Sequence, residues 1–285
     1  MRCGVCNLFT TTNPGGHLVS RYLDSLEREA EAASGFLGEH RFARGAIGGG
    51  TPSFLDGPEL QRLFGILRDT LGGIPRHMPL SFETSPATVT PEKLALLRQH
   101  GVTRLSVGVQ SFIEEETRQL GRPQRIPEVE SSLAMIRDTG FPVFNLDLIY
   151  GIAGQTAASW NHSLQRTLDH APEELYLYPL YVRPLTGLDR IGRAPGDHRL
   201  ALYRQARDLL LTSGYSQISM RLFRKSGLTP DDAAMKGPVY CCQEDGMLGL
   251  GAGARSYTRS LHYSTDYAVG RGGINEIITD YAART

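Results

Sequence analysis

The chain has 285 residues, 40% of them hydrophobic, which suffices for one large core. Its 30 Lys+Arg balance 30 Asp+Glu to a formal net charge of zero, so no overall basic field draws in nucleic acid or an anionic membrane surface. No apolar run is long enough for a stable membrane anchor, no leader pattern opens the chain, and four cysteines are too few for a disulfide framework; a cytoplasmic protein is the expectation.

Two of the four cysteines, Cys3 and Cys6, stand in the first six residues. A redox dithiol would sit after a strand at a helix N-terminus, and no strand precedes Cys3. A zinc site needs two more ligands, and Cys241 and Cys242 are adjacent rather than spaced as a chelating pair. The pair is therefore the end of a longer cluster-binding loop or two free thiols.

The periodicity then predicts elements in a regular order. "HLVSRYLDSLEREAEAASG" puts Val19, Tyr22, Leu23, Leu26 and Ala30 on one helical face. "ARGAIGGG" reads as a short buried strand stopped by glycines. "DGPELQRLFGILRDTLGG" is a helix capped by Asp56, with Pro58 in its first turn and Leu60, Leu63, Phe64 and Leu67 facing inward. Strand "LSFETS" and helix "TPEKLALLRQHG" follow, then "TRLSVGVQSF" with helical "PEVESSLAMIRDTG", and "FPVFNLDLIYG" with a helix around "SWNHSLQRTLDH". "EELYLYPLYV" precedes "DHRLALYRQARDLLLTSG", and "YSQISMRLF" reads as one more strand. That makes five strand–helix units after an initial helix with no strand of its own.

Strands alternating with helices imply parallel pairing through right-handed crossovers, and nearly continuous apolar strands fit a sheet with both faces covered. A doubly wound open sheet is the alternative. The barrel is favoured because Glu83, Gln110, Asp147 and several glycines lie toward the C-terminal ends of strands, the face where barrels keep their sites. The expected fold is α/β, a partial (β/α)6 TIM-like barrel that lacks its first strand, with residues 1–225 as the barrel core and 226–285 as a short irregular C-terminal extension.

Taken in order, "RCGVCNL", "GGGTPS", "RLSVGVQSF", "GRPQ" and "NLDLIYGIAGQT" resemble the radical S-adenosylmethionine superfamily, in the branch of oxygen-independent coproporphyrinogen III oxidase (HemN) and the heme chaperone HemW. The resemblance covers nearly the whole chain. In that family the cluster loop reads CxxxCxxC; Cys3 and Cys6 match its second and third cysteines, and the first would lie two residues before Met1. What the resemblance implies is a [4Fe–4S] cluster held by thiolates, with one iron open to S-adenosylmethionine. It further implies one-electron cleavage of the sulfonium to a 5′-deoxyadenosyl radical that abstracts hydrogen from substrate.

By the same resemblance, Gly48, Gly49, Gly50 and Thr51 lie against the methionyl ammonium, and Glu83, Gln110, Arg122 and Asp147 contact the ligand's ribose, methionyl and carboxylate groups. Tyr181 and Arg255 align with further contacts but differ in residue type from the oxidase. The plain alternatives are a glycine-rich turn for residues 48–51 and an internal Glu83–Arg122–Asp147 ion network. The implied partners are a small-molecule substrate, a tetrapyrrole in the oxidase branch, and a reductant such as flavodoxin or ferredoxin. Arg183, Arg221 and Arg224 are candidates to pair with tetrapyrrole propionates, with ordinary surface arginines as the alternative. A heme chaperone, a radical methyltransferase on another substrate and a cluster-free barrel remain open as functions.

Overall fold

A computed structural model describes residues 4, 10–11, 14–15, 17–38, 42–70, 78–192, 198–228, 245–258, 260–266 and 268–284. The chain enters through helix α1 (Leu18–Leu37), then alternates β1 (Gly45–Ile47), α2 (Gly57–Thr70), β2 (Leu80–Thr84), α3 (Pro91–Gln99) and β3 (Arg104–Gln110). After β3 come a short α4 (Glu114–Gln119) and α5 (Ile126–Thr139), then β4 (Val143–Tyr150), α6 (Ala157–Asp169) and β5 (Glu174–Pro179). The start signals act as their chemistry dictates. Asp56 and Glu59 exchange side-chain-to-backbone bonds at the head of α2, Thr90 accepts from Lys93 N–H in α3, and Thr156 and Ser159 form a reciprocal cap on α6. Gly140 closes α5 at φ 70°, where a side chain would be strained.

Strands β1 to β5 pair in sequence and in parallel. The sequence after α7 (Gly187–Arg190) and α8 (Arg199–Thr212) reads as one strand, but it folds as a hairpin, β6 (Tyr215–Gln217) and β7 (Leu222–Lys225). β7 lies antiparallel beside β5, so the order is β1-β2-β3-β4-β5-β7-β6. β6 keeps the common direction but is displaced from β5 by its own return strand. Ser219 makes that reversal possible, its hydroxyl accepting the Arg221 and Leu222 N–H groups in the turn. The result is a partial, mostly parallel α/β barrel.

Helices cover the outside. Phe82, Leu105, Val107, Phe144, Leu146, Leu175 and Phe223 point outward from the sheet into a core with Leu60, Phe64, Leu97, Leu133, Ile136, Trp160, Leu164 and Leu210. Each such side chain contributes about 1.5–3 kcal/mol by leaving water. The indole N–H of Trp160 donates to the Leu202 carbonyl at 2.9 Å, which ties α6 to α8. Residues beyond the hairpin form β8 (Arg255–Tyr257), β9 (His262–Ser264) and α9 (Arg271–Ala283). α9 returns to α1, where the Tyr281 hydroxyl donates to Glu29 at 2.6 Å and its ring lies 4.8 Å from that of Tyr22. Among the described residues no helix is long and apolar enough to cross a membrane.

Candidate functional site

With Leu105, Val107 and Val109 buried against the helices, the alternate residues of β3, namely Arg104, Ser106, Gly108 and Gln110, face the barrel interior. The same alternation turns Asn145 and Asp147 inward from β4, Ser81 and Glu83 from β2, and Glu174, Tyr176 and Tyr178 from β5. Register places Glu83 opposite Ser106, Gly108 opposite Asp147, and Asp147 opposite Tyr176. The interior is thus polar from end to end, unlike an ordinary filled barrel.

At the C-terminal mouth the glycine run has a steric reason. A Cβ on Gly48 would stand 2.8 Å from the Glu83 carboxyl carbon, so any other residue would displace that carboxylate. Gly49, at φ 114°, donates its N–H to Glu83 Oε2 at 3.3 Å. Gly50 and Thr51 lead into the turn Pro52–Phe54, with Thr51 extended at its N-cap. Gln110 ends β3 at φ 71°, at a register shift against β4. Its amide lies over Gly108, where a Cβ would stand 2.6 Å from Nε2. Arg122 closes the same corner, its Nη2 donating to the Gly108 carbonyl at 2.8 Å and to Ser85 Oγ at 3.0 Å.

Asp147 lies between mouth and interior. Its Oδ1 accepts from Asn145 Nδ2 at 2.7 Å, and Asn145, itself fully buried, also donates to Ser106 Oγ at 2.6 Å. Loss of hydration pushes Asp147 up to about 7, against the opposing pull of the Asn145 bond and of Arg104. The carboxyl of Glu83 is raised as well, chiefly by desolvation, although the residue reaches solvent through the mouth. Among the described residues no contact ion pair includes Glu83 or Asp147, although the Arg104 and Arg122 charges both pull the Asp147 value down and the Glu83 charge pushes it up. Two desolvated acids face an opening, an arrangement that accommodates a cationic ligand.

The N-terminal floor of the interior is different. Glu174 accepts from Arg104 Nε at 2.7 Å and from Arg224 Nη2 at 2.8 Å, and the Arg104 guanidinium stacks over Tyr176 at 5.5 Å. Arg224 is therefore committed to Glu174, which removes it from the candidates for a ligand carboxylate. Arg221 lies toward the mouth, 5.6 Å over the Tyr178 ring, and Arg183 is exposed. Sequence reasoning missed Arg104 and Asn145. The signal was present as polar residues at every second position of β3 and β4.

Cys3, Cys6, Cys241 and Cys242 lie outside the described residues. Gly4, between the first two, is described. Its N–H donates to the Leu120 carbonyl at 2.8 Å, and its carbonyl accepts from Leu188 N–H at 3.0 Å. A Cβ on Gly121 would stand 3.1 Å from Gly4 N, and one on Gly187 3.1 Å from Gly4 Cα. Gly121 precedes Arg122, so Gly4 rests beside the corner that Arg122 closes.

Two predicted residues are not brought into this group. Tyr181 lies beyond β5 and is 53% exposed, its ring 6.0 Å from the Arg199 guanidinium. Arg255 is exposed on β8, in the separate two-stranded sheet. The glycine run before it offers no amide cradle, since Gly249, Gly251, Ala252 and Gly253 N–H groups already bond Ser256, Glu29, Tyr22 and Thr265.

Residues 1–166 match the Radical SAM superfamily. The chain belongs to that superfamily. Radical SAM proteins of this kind use a [4Fe–4S] cluster and S-adenosylmethionine, and the desolvated acids at the mouth fit the cationic sulfonium and ammonium of that ligand. Among similar proteins, the heme chaperone HemW of Bacillus subtilis is 30% identical over 245 residues, 84% of this chain and 63% of that protein. The oxygen-independent coproporphyrinogen III oxidase of Escherichia coli is 31% identical over 271 residues, 89% of this chain and 57% of that protein. The solved structure of the E. coli oxidase HemN matches with a TM-score of 0.78 at 26% identity, over 90% of this chain and 62% of that one. The chain thus spans about three fifths of the length of these relatives.

Proposed function

We propose that this radical SAM chain binds S-adenosylmethionine at the barrel mouth, beside a cluster held in part by Cys3 and Cys6, and acts on a tetrapyrrole as the HemN oxidases do. The observation that carries the reading is the pair of desolvated carboxylates, Glu83 near the end of β2 and Asp147 within β4, neither in an ion pair among the described residues, beside Gly48, Gly49 and Gln110. When bound, the two cofactors supply one-electron cleavage of the sulfonium and a 5′-deoxyadenosyl radical.

The chain's own residues bind, orient and exclude water. Gly48 leaves space for Glu83 to turn its carboxylate to the ligand, and Asp147 offers a second acid whose charge is favoured once a cation displaces water. Gln110 and Arg122 give polar contacts on the opposite strand end. Gly50 and Thr51 supply backbone groups. Tyr181 and Arg255 are weaker members of the set, because neither lies with the mouth residues. Tyr178 and Arg221 form an aromatic–guanidinium surface toward the mouth, suited to a flat, carboxylated substrate.

A heme chaperone is the second reading, supported by HemW relatives that match as well as the oxidases do. The experiment is an anaerobic assay of coproporphyrinogen III with dithionite or flavodoxin as reductant, set beside a heme titration. Decarboxylated product with 5′-deoxyadenosine supports the oxidase; tight heme binding with no product supports the chaperone. Absence of S-adenosylmethionine binding by the cluster-loaded chain would overturn both.

A further inference from the structure

One carboxylate close to the mouth has no part in the chemistry above. Glu116, on α4, is 4% exposed, and its carboxylate accepts three hydrogen bonds from neutral donors: Ser111 Oγ at 2.6 Å, Ser159 Oγ at 2.6 Å and Gln155 Nε2 at 3.0 Å. Burying a carboxylate on neutral donors is costly, and a site that needed only to be filled would take Leu or Met. The network reaches further. Ser111 Oγ also accepts from Ile113 N–H at 3.0 Å, and Phe112 N–H donates to Ser163 Oγ at 3.1 Å. Gln155 Oε1 accepts from Gly151 N–H at 2.7 Å, in the turn that closes β4. Glu116 therefore joins the end of β3, the end of β4 and the first turn of α6.

Gln110 is the residue immediately before Ser111, and its φ of 71° lies in the left-handed region that a side chain enters only when its surroundings hold it there. We infer that Glu116 is a positioning residue for the ligand site: its carboxylate clips the ends of β3 and β4 together and keeps Gln110 in this conformation with its amide over Gly108. The link to affinity rests on the mouth being the S-adenosylmethionine site; the clip itself rests on the hydrogen bonds alone.

Three variants of the full chain test it. Glu116→Leu keeps the volume and removes all three acceptor contacts. Glu116→Gln keeps an oxygen for Ser111 and Gln155, while Ser159 can turn its own proton to the Thr156 carbonyl, 3.2 Å away, and accept from the new amide. Leu210→Ala, on α8 against β6, lowers stability away from the clip and serves as the comparison at equal melting loss. Hydrogen exchange at the Phe112, Gly151 and Ile152 amides should quicken about tenfold or more in Glu116→Leu beyond any change in Leu210→Ala. In iron- and sulfide-reconstituted protein, the S-adenosylmethionine Kd from calorimetry should rise about tenfold in Glu116→Leu, stay within about threefold in Glu116→Gln, and not move in Leu210→Ala. Parent-like exchange and Kd in Glu116→Leu, or equal weakening in Leu210→Ala, overturns the inference. A parent protein that binds no S-adenosylmethionine overturns the ligand assignment, and the exchange contrast then decides the clip by itself.

Discussion

The two ends of the barrel interior treat the same chemical group in opposite ways. At the floor, Glu174 is 3% exposed and is held by two guanidiniums, from Arg104 and Arg224. At the mouth, Glu83 and Asp147 have no ion-pair partner among the described residues and are driven toward the neutral form by desolvation. A buried carboxylate with its cations in place is structure. A desolvated carboxylate with no ion-pair partner among the described residues is a candidate binding group, with its electrostatic cost carried by the rest of the fold.

That contrast can be broken most forcefully at the floor. Glu174→Ala leaves two half-buried guanidiniums without their acid and should destabilise the fold by about 2–4 kcal/mol, read from the denaturant midpoint at pH 7. A loss under about 1 kcal/mol would mean that the floor is hydrated and not a structural ion cluster.

At the mouth, Asp147→Asn should work the other way. A folded-state value of about 7 against an ordinary 3.8 means that the fold holds this proton more tightly than the unfolded chain does. The stability it contributes is complete below about pH 4 and is lost as pH rises through about 7. The variant should therefore melt higher than the parent at pH 8 and gain little at pH 4. The parent's S-adenosylmethionine affinity should rise between pH 6 and 8 as Asp147 ionises, and the variant should lose that rise and weaken binding by about 1–3 kcal/mol. A parent whose melting temperature is flat over that range would place Asp147 among ordinary hydrated acids.

Gln110 sharpens the comparison at smaller scale. Replacement by Gly relieves a left-handed residue and should stabilise the chain by about 1 kcal/mol in thermal unfolding, while ligand affinity falls. Stability and affinity falling together would show Gln110 to be a packing residue. The smallest effect belongs to Arg221→Gln, which removes a guanidinium from the Tyr178 ring and should cost under about 1 kcal/mol of stability. Combined with Arg183→Gln, it should weaken titrated coproporphyrin without changing S-adenosylmethionine affinity. Unchanged porphyrin binding would direct attention to a substrate of another class.

Much of this architecture could be read before folding was considered. The stripe Leu60, Leu63 and Phe64, the caps at Asp56, Thr90 and Thr156, and the apolar strands each encode a local choice that burial and hydrogen bonding enforce within a few residues. The family motifs likewise place Glu83 and Gln110 at strand ends and Asp147 within a strand, because position along a strand is a local property. The hairpin of β6 and β7 was not legible, since whether a strand pairs with its neighbour or with its own return depends on which sheet edge is open. Neither was the division of labour among the charges. Arg224 and Arg122 look alike in the sequence, and only the register of β5 against β7 gives Arg224 to Glu174, while the fold of the segment after α4 turns Arg122 to Gly108 and Ser85. The sequence alone determined which residues are polar in an apolar strand. The tertiary structure decided which of them meet a counter-charge, because Coulomb and desolvation energies depend on distances between strands far apart in the chain.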